Sequence, residues 1–204
     1  MARPRQVTDE QILDATRAAV LEKGAQVSLD FVAQRLGVTS PALIKRYGTR
    51  QNLMLQALCP REVELDEVFA MPIDDRPFVD QLASLVGRLA AYFELALPRV
   101  MALKECGVSH ELIRDRIRLP MPVRAVAATT RWLTERREAS AIESDALETA
   151  ATSIVGAVTL RAIEARLTEK RRTSRARTKF ELELARLVAR GLGTSSTKRS
   201  RRGT

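Results

Sequence analysis

Histidine occurs once in this 204-residue chain and cysteine twice, and Cys59 and Cys106 stand apart rather than in a CxxC or Cys/His cluster. That scarcity argues against structural zinc and a disulfide framework, and suits a reducing compartment. Aromatics supply only 4% of the residues, so a core must come from Leu, Val, Ile and Ala. No window approaches the ~18 uninterrupted apolar residues of a membrane span. The opening Met1-Ala2-Arg3-Pro4-Arg5 leads into a polar run rather than the apolar run of a signal peptide. A cytoplasmic protein without a membrane partner is expected. There is no Gly-rich phosphate loop, no Ser/His/Asp set and no carboxylate cluster at a metal-binding spacing. Glu181 and Glu183 fall on opposite faces of a helix. Neither an enzyme nor a metal or cofactor is therefore expected.

What is present is an ordinary globular composition, 45% apolar and 29% charged. Ala, Leu, Arg and Glu, which lose little side-chain freedom in a helix, favour an all-α fold. The formal charge is +9, unevenly placed: residues 1–60 hold 8 basic and 5 acidic groups, 61–160 hold 12 and 16, and 161–204 hold 14 and 4. The excess lies at the C-terminal end. There it reads either as a solvated helix face plus a loose tail or as extra affinity for a polyanion.

Along the chain, Thr8 three residues before Gln11 makes a capping-box signature. The helix it opens carries Ile12, Ala15 and Ala19 beside Leu13, Thr16 and Val20, and Gly24 is its stop. Ser28 caps a short helix with Phe31, Val32 and Leu36 inward, and Gly37 supplies the turn after it. A third helix begins at Thr39 or Ser40, takes Pro41 in its first turn, and ends near Tyr47-Gly48. Thr49 caps a fourth, with Leu53, Met54, Ala57 and Leu58. Helix, short helix, Gly-containing turn, short helix is the order of a helix-turn-helix DNA-binding head.

Beyond Cys59, Pro60, Pro72 and Pro77 interrupt the chain, with a short helical piece between the first two. Leu82, Leu85, Val86, Leu89, Phe93, Ala96 and Leu97 form the stripe of a long helix that Pro98 is expected to break. Ser109 caps 110–117, and a helix runs through Val126, Thr130 and Leu133. The next, near 144–167, carries Leu147, Ala151, Ile154, Val155, Val158 and Ala162. That stripe is too wide for one core, so burial on two sides is expected, one side by a partner copy. A last helix with Phe180, Leu184, Leu187 and Val188 stops at Gly191. The division expected is a head at 1–59, a helical regulatory and dimerisation domain at 60–193, and a basic disordered tail at 194–204.

The run Ile12-Leu13-Asp14-Ala15, Gly24, Val27-Ser28-Leu29-Asp30-Phe31-Val32-Ala33-Gln34-Arg35-Leu36-Gly37-Val38-Thr39, Leu43, Tyr47, Arg50, Leu53 resembles the N-terminal domain of the TetR (tetracycline-repressor-like) family over about a quarter of the chain. The resemblance implies an all-helical homodimer with a three-helix DNA-binding domain. It also implies a larger C-terminal domain that usually binds a small molecule and dimerises through its last two long helices. The chain departs from the family's pattern where Ile44 replaces a tyrosine that commonly reaches a phosphate. Tyr47 replaces a phenylalanine, Arg50 a lysine, and Pro41 a small flexible residue.

A reading helix presents short polar side chains and a few long cations to base edges. Thr39, Ser40, Pro41, Ala42, Lys45, Arg46 and Tyr47 occupy it here. Lys45 can reach guanine acceptors and Ala42 a thymine methyl; the bland reading is that Lys45 and Arg46 meet only phosphate or water. Ser28 and Thr49 open helices whose N–H groups suit a phosphate, or are plain caps. Arg50 is the expected phosphate clamp. Arg3 and Arg5 lie on an arm suited to a minor groove, the alternative being a disordered start. Tyr92, Phe93, Met101, His110, Trp132 and Thr152 are candidates to line a pocket for a small apolar effector, against core packing for Trp132 and a surface place for His110. Cys106 reads as a small buried hydrophobe. Leu147, Ala151, Ile154, Val155, Val158, Phe180, Leu184 and Leu187 are candidates for the dimer interface. The function expected is a homodimeric repressor released from double-stranded operator DNA by a ligand; the alternative is a constitutive or architectural DNA binder.

Overall fold

The computed structural model describes residues 7–72, 74–117, 119–139, 142, 144–168 and 173–193, and no strand occurs among them. The helices are α1 (Asp9–Lys23), α2 (Leu29–Leu36), α3 (Ser40–Tyr47), α4 (Arg50–Leu58), α5 (Glu62–Phe69), α6 (Phe78–Glu105), α7 (His110–Arg116), α8 (Met121–Ala139), α9 (Leu147–Thr168) and α10 (Ser174–Gly191). The all-α expectation holds. The expected arm at Arg3 and Arg5 and the tail at 194–204 lie outside the described residues.

Local signals set the first four helices. Thr8 Oγ1 accepts from the Gln11 N–H at 3.2 Å while Gln11 Oε1 accepts from the Thr8 N–H at 3.0 Å, the reciprocal cap read in the sequence. Ser28, Thr39 and Thr49 cap the next three in the same sense, each worth about 1 kcal/mol. Gly37 ends α2 at φ 66°, ψ 30°, a left-handed conformation that costs a Cβ-bearing residue ~1–2 kcal/mol. Its N–H reaches the Gln34 carbonyl at 3.2 Å and the Val38 N–H reaches Ala33 at 3.0 Å, so the chain reverses at once into α3.

Two compact units emerge: Met1–Arg61 with Leu95–Arg118, and Glu62–Glu94 with Leu119–Thr204. The first thus takes in a stretch, Leu95–Arg118, that the sequence reading assigned to the second domain. In it α1 packs on α2 and α4, and α3 on both α2 and α4. Ile12, Val20, Val32, Leu43, Leu53, Met54 and Leu58 form its core with Leu103, Cys106 and Val108 from the far end of the chain segment. Each such buried aliphatic side chain contributes about 1.5–3 kcal/mol.

In the second unit α8 packs on α9, α9 on α10, and α5 on α8. Leu82, Leu85, Leu89 and Phe93 of α6, Leu133 of α8 and Ala151, Ile154 and Val158 of α9 are buried there. Arg161 stacks its guanidinium 3.7 Å from the Phe180 ring, and the Ser144 N–H reaches the Leu192 carbonyl at 3.3 Å, so α9 and α10 run antiparallel.

Pro98 does not break α6, which continues seven residues past it to Glu105. Proline removes one backbone donor and crowds one carbonyl, a cost of about 3 kcal/mol. Ala96 before it and Leu103 after it are fully buried, and that packing holds the helical course on both sides. The boundary between the units, at Glu94/Leu95, falls one turn before this proline.

Candidate nucleic-acid interface

α3 divides its residues cleanly. Leu43 and Tyr47, four apart and so on one face, are buried, and Ile44 is half-buried beside them. Pro41, Ala42 and Lys45 point the other way and are exposed. Lys45 makes no hydrogen bond or ion pair among the described residues, whereas every other described cation of residues 7–60 has a partner. Arg17 bonds Asp14 at 2.5 Å and the Ala57 carbonyl at 3.0 Å; Arg35 and Lys23 pair with Glu22 at 2.8 and 3.4 Å. An exposed ammonium with no partner, on the outward face of the second helix of a helix-turn-helix, is the feature that can meet a groove edge.

The neighbouring candidates divide into open and occupied. Ser28 and Thr49 are exposed, and each uses its oxygen to accept from the backbone N–H three positions on, at 3.2 and 3.1 Å. Both keep a hydroxyl proton free to donate to a phosphate oxygen. Thr39 does the same toward Ala42 at 3.4 Å. Ser40 is half-buried and its hydroxyl is given to Asp30.

Three expected DNA contacts have other work. The half-buried guanidinium of Arg50, the expected phosphate clamp, donates to the carbonyls of Cys106 at 2.6 Å, Ala25 at 2.8 Å and Val27 at 3.2 Å. It stitches the start of α4 to the α1–α2 loop and to the end of α6. Tyr47 is buried and donates its hydroxyl to Asp9 Oδ1 at 2.9 Å. Burial first, then that bond, push the phenol up to about 12, so it stays protonated as a donor. Arg46 pairs through Nε with the same Asp9 oxygen at 2.7 Å and through Nη1 with the Val7 carbonyl at 2.7 Å. The Tyr47 bond, then the Arg46 bond, hold the Asp9 carboxyl below its ordinary value. Sequence reasoning did not single out Asp9. The signal available was Tyr47 itself, since a phenol on the inward face needs an acceptor.

The six candidates for an effector pocket are divided between the two units. Met101 and His110 are exposed residues of the first unit. Of the four in the second, Phe93 is fully buried, Tyr92 packs edge-on against it with centroids 5.4 Å apart, and Thr152 faces solvent. Trp132 alone lines a described depression, a groove of about 240 Å³ walled by Asp66, Phe69, Ala70, Ala128, Arg131 and Glu135. Arg136 lies 3.7 Å over the indole, and its guanidinium is held by Gln81 at 3.2 Å. The indole N–H is buried without a partner among the described residues.

The interface candidates divide between buried and exposed positions. Leu147, Ala151, Ile154, Val155 and Val158 are buried within their own unit. The opposite side of α9 exposes Gly156, Leu160 and Leu167, and α10 exposes Leu187 next to half-buried Phe180 and Leu184.

These features define an all-helical protein with a helix-turn-helix head. No protein-family model and no curated protein sequence matches the chain. Solved structures do. A transcriptional regulator from Rhodococcus sp. RHA1 superposes with a TM-score of 0.67 at 15% identity, over 91% of this chain and 97% of its own. A TetR-like transcriptional regulator from the same source gives 0.58 at 20%, over 95% and 100%. A chain solved in a study of how bacterial hormones control antibiotic production gives 0.61 at 20%, over 92% and 99%. The fold is that of the TetR-like regulators.

Proposed function

We propose that this chain is a DNA-binding transcriptional regulator of the TetR type, acting as a homodimer whose hold on its operator is loosened by a small molecule. The observation that carries the reading is Lys45, unpartnered on the outward face of α3 beside Ala42, in a head whose other described cations up to residue 60 are all engaged. Purified protein should prefer a fragment of its own promoter region to random DNA, and the preference should weaken steeply as salt rises. Equal, salt-insensitive binding to both would overturn the reading.

The dimer reading is supported by exposed apolar residues on α9 and α10. Leu160, Leu167 and Leu187 are each 65–72% exposed on adjacent antiparallel helices, an apolar face that a monomer would leave in water. An operator of two half-sites asks a two-fold dimer to offer two α3 helices to successive major grooves, about 34 Å apart. Leu160→Glu with Leu187→Glu should yield a monomer by sedimentation and weaken operator binding at least ~100-fold through loss of bivalency. A double variant that stays dimeric would remove this face from consideration.

Effector release has two supports: the groove beside Trp132 and the likeness to a structure solved in work on hormone control. A ligand that binds the DNA-incompetent state a hundredfold better supplies about 2.7 kcal/mol, enough to empty an operator held by a modest margin.

A further inference from the structure

The last turn of α3 is fastened to the first residues of the described chain. One oxygen of Asp9, the first residue of α1, accepts from both the Tyr47 hydroxyl at 2.9 Å and Arg46 Nε at 2.7 Å, while Arg46 Nη1 reaches back to the Val7 carbonyl at 2.7 Å. Arg46 follows Lys45 directly, yet its guanidinium is engaged by the Asp9 carboxylate and the Val7 carbonyl. We propose that Asp9 is a specificity-determining positioning residue that withholds Arg46 from the DNA backbone, leaving Lys45 as the working cation of α3. The proposal rests on the DNA-binding reading above.

The physical case is one of competing partners. An exposed ion pair alone holds little, and a DNA phosphate would compete for the guanidinium. Here the arginine would have to leave two acceptors, the carboxylate and the Val7 carbonyl. The carboxylate is itself retained, by the buried Tyr47 hydroxyl and by its place at the α1 N-terminus, where the helix dipole favours an anion. An Asp9 stripped of Arg46 would stand as a bare negative charge near the duplex. Exchange of one oxyanion for another therefore brings no gain. A long cation set free would instead find a phosphate in any docking pose, which raises affinity for random sequence more than for an operator whose pose the base contacts fix.

The test measures binding to a promoter-region fragment and to random duplex across a series of KCl concentrations. Asp9→Asn should raise affinity for random DNA several-fold near 0.15 M salt and steepen the log–log salt slope by about 0.9, the signature of one added phosphate contact. Arg46→Met alone should keep the parent slope, and Asp9→Asn with Arg46→Met should return to it. Asp9→Glu, which preserves the charge, should behave as the parent. The proposal is overturned by an unchanged slope in Asp9→Asn, by a slope shallower by about one in Arg46→Met, or by a gain that persists in the double variant, since that gain would be simple charge removal. If Asp9→Asn does not fold, the Arg46→Met slope decides. A parent that prefers its promoter while Asp9→Asn matches it sinks this proposal alone; a parent with no salt-sensitive binding sinks the functional reading with it.

Discussion

Replacing Lys45 with alanine should cost about 10- to 100-fold in the preference for promoter DNA over random sequence, or ~1–3 kcal/mol, with almost no change in thermal stability. The asymmetry comes from where the side chain ends. Its ammonium has no partner within the described protein, so its removal leaves no group unsatisfied, and an exposed alanine suits a helix well. Electrophoretic mobility shift or anisotropy titrations at fixed salt, beside a melting curve, separate the two effects. A Lys45→Ala protein with parental preference would show that α3 does not read bases through this residue.

Arg50→Met should do the reverse. The substitution keeps much of the aliphatic stem but strands the carbonyls of Ala25, Val27 and Cys106, which lie in a partly buried junction. Hydrogen bonds to a charged donor are worth about 1.5–3 kcal/mol each and do not sum simply, so a loss of about 3 kcal/mol is expected. In the protein that remains folded, the salt slope for DNA should equal the parent's, because no phosphate contact has gone. A variant of normal stability and a shallower slope would restore Arg50 to the DNA surface. Arg50→Lys should recover only part of the loss, since an ammonium cannot span three carbonyls with the planar fork of a guanidinium.

The contrast between these arginines and Lys45 marks where the sequence stops being informative. Helix starts at Thr8, Ser28, Thr39 and Thr49 were legible because a cap and its N–H partner lie within three residues of each other. Gly37 was legible for a similar reason, since a left-handed turn demands one residue type. Whether a cation is available to a ligand depends on partners far away in the chain. Tyr47 meets Asp9 across 38 positions and Arg50 meets Cys106 across 56. No spacing rule joins such pairs, so the sequence offers Arg46, Tyr47 and Arg50 as DNA contacts without their distant partners. Pro98 misled through the opposite error: a strong local signal was outweighed by burial on either side of it. On α9 the apolar residues run almost all the way round the helix. The pattern announced two buried sides but carried no label for which side belongs to the chain's own unit. The six effector-pocket candidates were chosen by residue type with no spacing pattern behind them, and they fall into two different units.

Trp132 is the chain's only tryptophan, and it sits deep in the second unit beneath Arg136. Its emission is therefore a built-in optical gauge of that unit alone. Loosening of the head, as Arg50→Met should cause, will pass unseen by indole fluorescence while far-ultraviolet dichroism records it. A gap between the two melting traces would measure how independently the two halves of the molecule come apart.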